Sequence, residues 1–260
     1  MNRALQGLLA AIFLVAPALA EMTTREQVDA ALVRLDRAVA EAPTARRYVE
    51  RGDVYYLLND MHRAVEDYGR AIKLDTGNDE AYFGRGMALA RMGLVDEGIA
   101  DLSVYIQRHP NSSVAYTKRG VRNIWRNDLE AAERDLSRAI ELDPKNAEAH
   151  DDLGVVNAKR NRIRQAAKHF STAIQLDPNY QKAYHNLAIC FHVGGQAQAA
   201  LEIVDAGLSL DEANRSSLML KSAILKTLGR TKEATALADQ AEFLPEDNWT
   251  ERSTLSGNIK

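Results

Sequence analysis

The chain has a single cysteine, Cys190, so it cannot close an intramolecular disulfide. It has no excess of basic charge, with 33 Lys and Arg against 36 Asp and Glu, and no basic stripe that would suit a nucleic-acid partner. It has no phosphate-cradling glycine loop, no GxSxG elbow, no CxxC and no HExxH, so neither a catalytic centre nor a cofactor is expected. Its first apolar run, from Ala4 to about Ala16, is shorter than the ~20 residues a comfortable membrane span needs.

That run has a different explanation. Residues 1–20 combine Arg3, the apolar stretch, Pro17 and an Ala18-Leu19-Ala20 end, the layout of a secretory signal peptide cleaved before Glu21, with an uncleaved anchor as the other reading. No cysteine lies near the cleavage point, which argues against a lipoprotein signal. Export to a periplasm is expected, with secretion as the alternative. The mature chain then carries 32 basic and 36 acidic side chains.

The rest of the chain is periodic. AIELDPKNAEAH and AIQLDPNYQKAY end successive segments, and Pro110, Pro144 and Pro178 are spaced by 34 residues. A fixed period of this length marks a stacked helix-turn-helix repeat. The units run 45–78, 79–112, 113–146, 147–180, 181–214 and 215–248.

Aligned columns support this division. The eighth position is always small: Gly52, Gly86, Gly120, Gly154, Ala188 and Ser222. The twentieth is Ala or Gly throughout, and the twenty-fourth is mostly large: Tyr68, Leu102, Leu136, Phe170 and Val204, then Ala238. The fifteenth holds only Asn59, Gly93, Asn127, Asn161, Gly195 and Gly229, the residue types that tolerate the left-handed turn ending a helix. Asp75, Asp143, Asp177 and Asp211 close the second helices. The fourth position is a wedge, Tyr48, Tyr82, Tyr116, His150, Tyr184 and Leu218.

These motifs resemble the tetratricopeptide repeat (TPR) family over residues 45 to about 248. The resemblance implies an all-α, right-handed superhelical solenoid of about six units whose first helices line a concave groove that holds a segment of another protein. A helix from Thr23 to Glu41, with Thr23 or Thr24 as N-cap, carries Val28, Ala31, Leu32, Leu35, Ala38 and Val39 on one stripe. It reads as an N-terminal capping half-repeat within 21–44. The sixth unit, with a polar second helix over about Thr231–Phe243, reads as the closing cap. Residues 249–260 read as a flexible tail. Phe243, Leu244 and Trp249 are expected to fold back onto the stack, with docking of a second copy as the other reading.

Two kinds of unit are visible. Arg51, Arg85 and Arg119 at the seventh position accompany Asp67, Asp101 and Asp135 at the twenty-third, and both columns lose their charge together at Leu153 with His169 and Leu187 with Ile203. Arg–Asp pairs joining two helices are expected, with an anion-binding arginine row as the lesser reading.

The resemblance places the groove at Val49, Asp53 and Tyr56; Phe83, Met87 and Arg91; Thr117, Val121, Ile124 and Trp125; Asp151, Val155 and Lys159; His185, Ile189 and His192; and Met219 and Lys226. Its middle is apolar, as an exposed interaction strip would be. The chaperone-type carboxylate clamp is absent, since its Lys and Asn places hold Val49 and Asp53, Phe83 and Met87, or Thr117 and Val121. An apolar or amphipathic partner segment is expected, with basic residues near Asp53, Glu80, Glu148 and Asp151. His185, His192 and Asp151 admit a metal-site reading, outweighed by solvated histidines, so no metal is expected. Cys190, on an apolar helix face, reads as a buried inert thiol. The function expected is a non-catalytic scaffold or adaptor. The alternatives are a self-associating scaffold, hence a homo-oligomer, and a metal- or anion-binding enzyme-like protein.

Overall fold

The computed structural model describes residues 25–245. The signal segment, the Thr23 and Thr24 caps, Trp249 and the tail lie outside the described residues. Thirteen helices and no strand are found among the described residues, in two compact units, one ending at Ala131 and one beginning at Ala132.

In the first unit, α1 (Arg25–Glu41) is followed by α2 (Ala45–Leu57), α3 (Met61–Leu74), α4 (Asp79–Arg91), α5 (Val95–Arg108) and α6 (Ser113–Trp125). Helix α7 (Leu129–Leu142) crosses the division. The second unit continues with α8 (Ala147–Lys159), α9 (Ile163–Leu176), α10 (Gln181–Val193), α11 (Ala197–Leu208), α12 (Arg215–Thr227) and α13 (Thr231–Glu242). Successive helices pack as antiparallel-type pairs, α2 on α3 and α4 on α5, then α8 on α9, α10 on α11 and α12 on α13.

The turn column explains why each pair forms. Asn59, Asn127 and Asn161 have φ of 60°, 62° and 58°, and Gly93, Gly195 and Gly229 have 88°, 76° and 77°. Every unit therefore reverses on a left-handed residue, which Asn tolerates and glycine adopts freely. A second column fixes the start of the first helices. Thr44, Asn78, Ser112, Asn146 and Asn214, again multiples of 34 apart, each accept a backbone N–H three residues on. Such N-caps are worth about 1 kcal/mol each. The closing aspartates also work locally, because Asp75, Asp143, Asp177 and Asp211 accept the N–H two residues on at 2.9, 3.0, 3.0 and 3.2 Å.

Within a pair, small meets large as the columns predict. A Cβ on Gly52 would lie 2.9 Å from the Tyr68 ring, and one on Gly154 only 2.5 Å from Phe170. Tyr68, Leu102, Leu136, Phe170 and Val204 are all buried. Each contributes about 1.5–3 kcal/mol by leaving water. In the last pair, Ser222 Oγ instead donates to the Ala234 carbonyl at 2.7 Å.

The ends are partly as expected. Helix α1 buries Val28, Ala31, Leu35 and Val39. It is tied to α2 by Arg47 Nη1, which donates to the Ala38 and Ala42 carbonyls, and by the Arg51–Asp36 ion pair at 2.9 Å. At the other end Leu244 packs on the α10–α13 core, whereas Phe243 stays 87% exposed. Phe243 thus does not fold back, because at the C-cap of α13 its side chain points off the packed stripe that Ala234 and Ala241 define.

Candidate protein-binding faces

In the first two repeats the Arg–Asp columns form forked ion pairs. Arg51 Nε and Nη2 lie 2.6 and 2.8 Å from the Asp67 carboxylate, and Arg85 reaches Asp101 at the same two distances. These hydrogen bonds raise both guanidinium pKa values against the opposing effect of burial. The guanidinium groups also sit beside the wedge rings, Arg51 at 5.8 Å from Tyr48 and Arg85 at 5.8 Å from Tyr82. An anion-binding row is therefore not what Arg51 and Arg85 make. In the next repeat Arg119 Nη1 donates to Ser103 Oγ at 3.0 Å and stacks near Tyr116, while Asp135 falls in the second unit.

In the first unit the face expected to lie open on α2, α4 and α6 is closed within the chain. Val49, Tyr56, Phe83, Met87 and Thr117 are all buried. Phe83 packs against the Tyr105 ring, with centroids 5.0 Å apart, because the second helix of its own unit reaches over it. Met87 Sδ accepts from Arg122 Nη2 at 3.1 Å, and Arg122 stacks on Trp125 at 4.7 Å. Arg91 lies over Tyr56 at 4.7 Å and donates to Asn59 Oδ1. Val121, Ile124 and Trp125 are half-buried.

Asp53 is likewise turned inward. It accepts from the Tyr68 hydroxyl at 2.7 Å, and burial pushes its carboxyl up to about 7. A carboxyl held this way is a poor anchor for a basic side chain.

In the second unit, Lys182 and Asn186 of α10 close on the aspartates of α8. Lys182 Nζ lies 2.9 Å from Asp151 and 3.1 Å from Asp152, and Asn186 Nδ2 donates to Asp151 at 2.9 Å. Burial alone would lower the lysine pKa, but the two aspartate charges hold it well above its ordinary value. Burial pushes Asp152 up to about 7 against the pull of Lys182. The basic partner expected near Asp53 and Asp151 is thus corrected, since the chain's own Tyr68, Lys182 and Asn186 occupy those carboxylates.

His185 Nδ1 lies 3.2 Å from Ser217 Oγ on α12, and His192 is half-buried two turns further along the same helix face. Among the described residues no group of three or more His, Cys, Asp or Glu is placed to hold a metal ion. Cys190 is buried, and burial pushes its thiol up to about 11, so little thiolate forms at neutral pH.

The first helices of the second unit do present an open face. Helix α10 exposes only Ile189 and Val193, helix α8 only Lys159, and helix α12 only Met219, Ala223, Lys226 and Thr227. Val155 is half-buried beside them. Sequence reasoning named Lys159, Ile189, Met219 and Lys226 as groove positions but not Val193, whose place one turn beyond Ile189 was the available signal.

Comparison with known proteins agrees with this architecture. Family models described as TPR repeat or tetratricopeptide repeat match residues 52–93, 80–112, 126–180 and 157–224. A TPR repeat-containing protein of Methanocaldococcus jannaschii is 33% identical over 72 residues, covering 28% of this chain and 13% of that relative. The chain therefore spans only a small part of that relative's length.

Among solved structures, a tetratricopeptide repeat protein from Parabacteroides merdae superimposes with a TM-score of 0.72 at 16% identity, over 95% of each chain. YrrB, described as a TPR protein with an unusual peptide-binding site, gives 0.54 at 20% identity over 71% of this chain and 95% of its own. Four repeat matches, the 34-residue columns and the paired helices converge: the chain belongs to the tetratricopeptide repeat family.

Proposed function

We propose that this protein is a non-catalytic scaffold that holds a segment of a partner protein against its first helices, after export to the periplasm under the direction of residues 1–20. The observation that carries the reading is the face of α8, α10 and α12, where every exposed residue is apolar, a threonine or a lysine. The second helices, by contrast, expose charges of both signs, such as Glu202 and Asp205 on α11 and Lys232 and Glu233 on α13. A solenoid solvates its outer helices and reserves an apolar stripe for contact. The peptide-binding description of YrrB points the same way by analogy of fold.

The test is affinity capture from the envelope fraction with residues 21–260, beside the same chain carrying Ile189→Asp and Met219→Asp. A protein held by the first and lost by the second, with helicity unchanged by circular dichroism, is the expected result. Equal capture by both would remove this face from the reading. Export has its own check: fractionation should find the protein in the periplasm with Glu21 at its N-terminus, and an intact Met1 in the cytoplasm would overturn it.

A further inference from the structure

The chemistry of that open face says more about its occupant. Helices α10 and α12 contain no carboxylate at all. The carboxylates of α8 are Glu148, Asp151 and Asp152, all in its first two turns, half-buried or buried, with the two aspartates bound to Lys182. Lys159 and Lys226, in contrast, are exposed in the last turns of α8 and α12.

Of the other cations on these helices, Lys182 is held by the two aspartates and Lys221 by Asp205 at 2.7 Å, and Arg215 is half-buried at the start of α12. The exposed side chains of these three helices are thus apolar at Ile189, Val193 and Met219 and charged only at Lys159 and Lys226, on a chain whose formal net charge is −3. Along α12, Met219 and Lys226 are seven residues apart, which is about 10 Å and the same side of the helix.

We infer that the occupant is an acidic amphipathic helix of a partner protein, whose apolar stripe seats on Ile189, Val193 and Met219 and whose flanking Asp or Glu side chains meet Lys159 and Lys226. This rests on the proposed docking function and adds the sign of the partner. An apolar stripe meets the patch at i, i+3, i+4 and i+7 spacing, and the lysine ammoniums, kept in water on flexible stems, select carboxylates at the rim. A basic segment would bring like charge to both lysines with no acceptor in exchange.

The test uses two synthetic helical peptides with one leucine stripe, flanked by Glu in one and by Lys in the other, titrated against the full chain by fluorescence anisotropy. The Glu-flanked peptide is expected to bind about tenfold more tightly at low salt, with the advantage shrinking as salt screens the rim pairs. Lys159→Glu with Lys226→Glu, exposed positions that leave the core intact, should reverse the preference. Binding without a preference would overturn the acidic partner while leaving the docking face standing. Binding of neither peptide would overturn the face itself. Capture by phosphatidylglycerol vesicles in place of either peptide would make the occupant a membrane surface. Sedimentation as a dimer, lost in Met219→Asp, would make it a second copy. Each of these last two results overturns the inference.

Discussion

The units at 45–78 and 79–112 and the unit at 147–180 share a backbone plan but differ in how their two helices are clasped. In the first two, an arginine lies beside a tyrosine wedge and forks onto an aspartate sixteen residues later. In the third the same columns read His150, Leu153 and His169, and the clasp is a pair of imidazoles with Nδ1 atoms 3.4 Å apart. His150 Nε2 faces the Pro144 carbonyl at 3.3 Å. A carbonyl only accepts, so His150 carries its proton on Nε2, its Nδ1 is the acceptor, and His169 Nδ1 is the donor.

The lesson is that one packing problem has a charged and a neutral solution. The ion pair demands two side chains that are charged throughout the neutral range. The imidazole pair demands that at least one ring stay neutral, which ties this unit to pH.

The sharpest way to break the comparison is to remove one partner from each clasp. Asp101→Ala strands Arg85 in a half-buried setting and should cost about 3 kcal/mol in urea unfolding, whereas His169→Ala leaves only a neutral His150 and should cost about 1 kcal/mol. Equal losses would show that the two clasps are energetically alike. A second contrast concerns the close approach beneath each clasp. Gly154→Ala meets Phe170 at 2.5 Å and Gly52→Ala meets Tyr68 at 2.9 Å, so both should destabilise, Gly154→Ala by about 2 kcal/mol and Gly52→Ala by less. The reverse order in thermal unfolding would mean that Phe170 yields more readily than Tyr68.

The smallest effect is the pH dependence. Burial lowers the pKa of both histidines, and for His169 the neighbouring His150 and Lys168 lower it further. Because the folded values lie below the ordinary histidine value of 6.5, the clasp contributes its full stability above that value and loses it as pH falls through the folded values. Other groups nearby are engaged elsewhere: on α10, Lys182 with Asp151 and Asp152, and Tyr184 with the Pro178 carbonyl.

Asp152 works in the opposite direction, since its raised pKa contributes stability at low pH that is lost as pH rises through about 7. The histidine contribution is therefore read as a difference. Replacing the clasp with Leu153→Arg and His169→Asp should leave the variant gaining on the wild type as pH is lowered from 7.5 to 5.5. A gap that stays constant with pH would remove the imidazole pair as a titrating element.

Much of this molecule is legible one unit at a time. The turn residues at 59, 93, 127, 161, 195 and 229, the small-against-large contacts of Gly52 with Tyr68 and Gly154 with Phe170, and the Arg51–Asp67 and Arg85–Asp101 pairs all join positions within one helix pair. Their partners lie at fixed short separations, so a repeating column reveals them. The N-cap column at 44, 78, 112, 146 and 214 was equally readable and obeys the same rule.

The candidate site was less legible because exposure depends on what the neighbouring unit brings. The groove register marks Met87 and Ile189 as equivalent, both ninth in their units, yet Met87 is 2% exposed, under Arg122 of the next repeat, and Ile189 38%. Asp151 reads as an open carboxylate until Lys182 and Asn186, some thirty residues later, are seen to close on it. Sequence alone thus determined the repeat, the pairing of helices and the contacts inside each pair, because those follow from local geometry repeated every 34 residues. Only the tertiary structure decided which first-helix residues face water and which charges remain for a partner. Those properties are set by side chains from neighbouring repeats, whose placement no single column encodes.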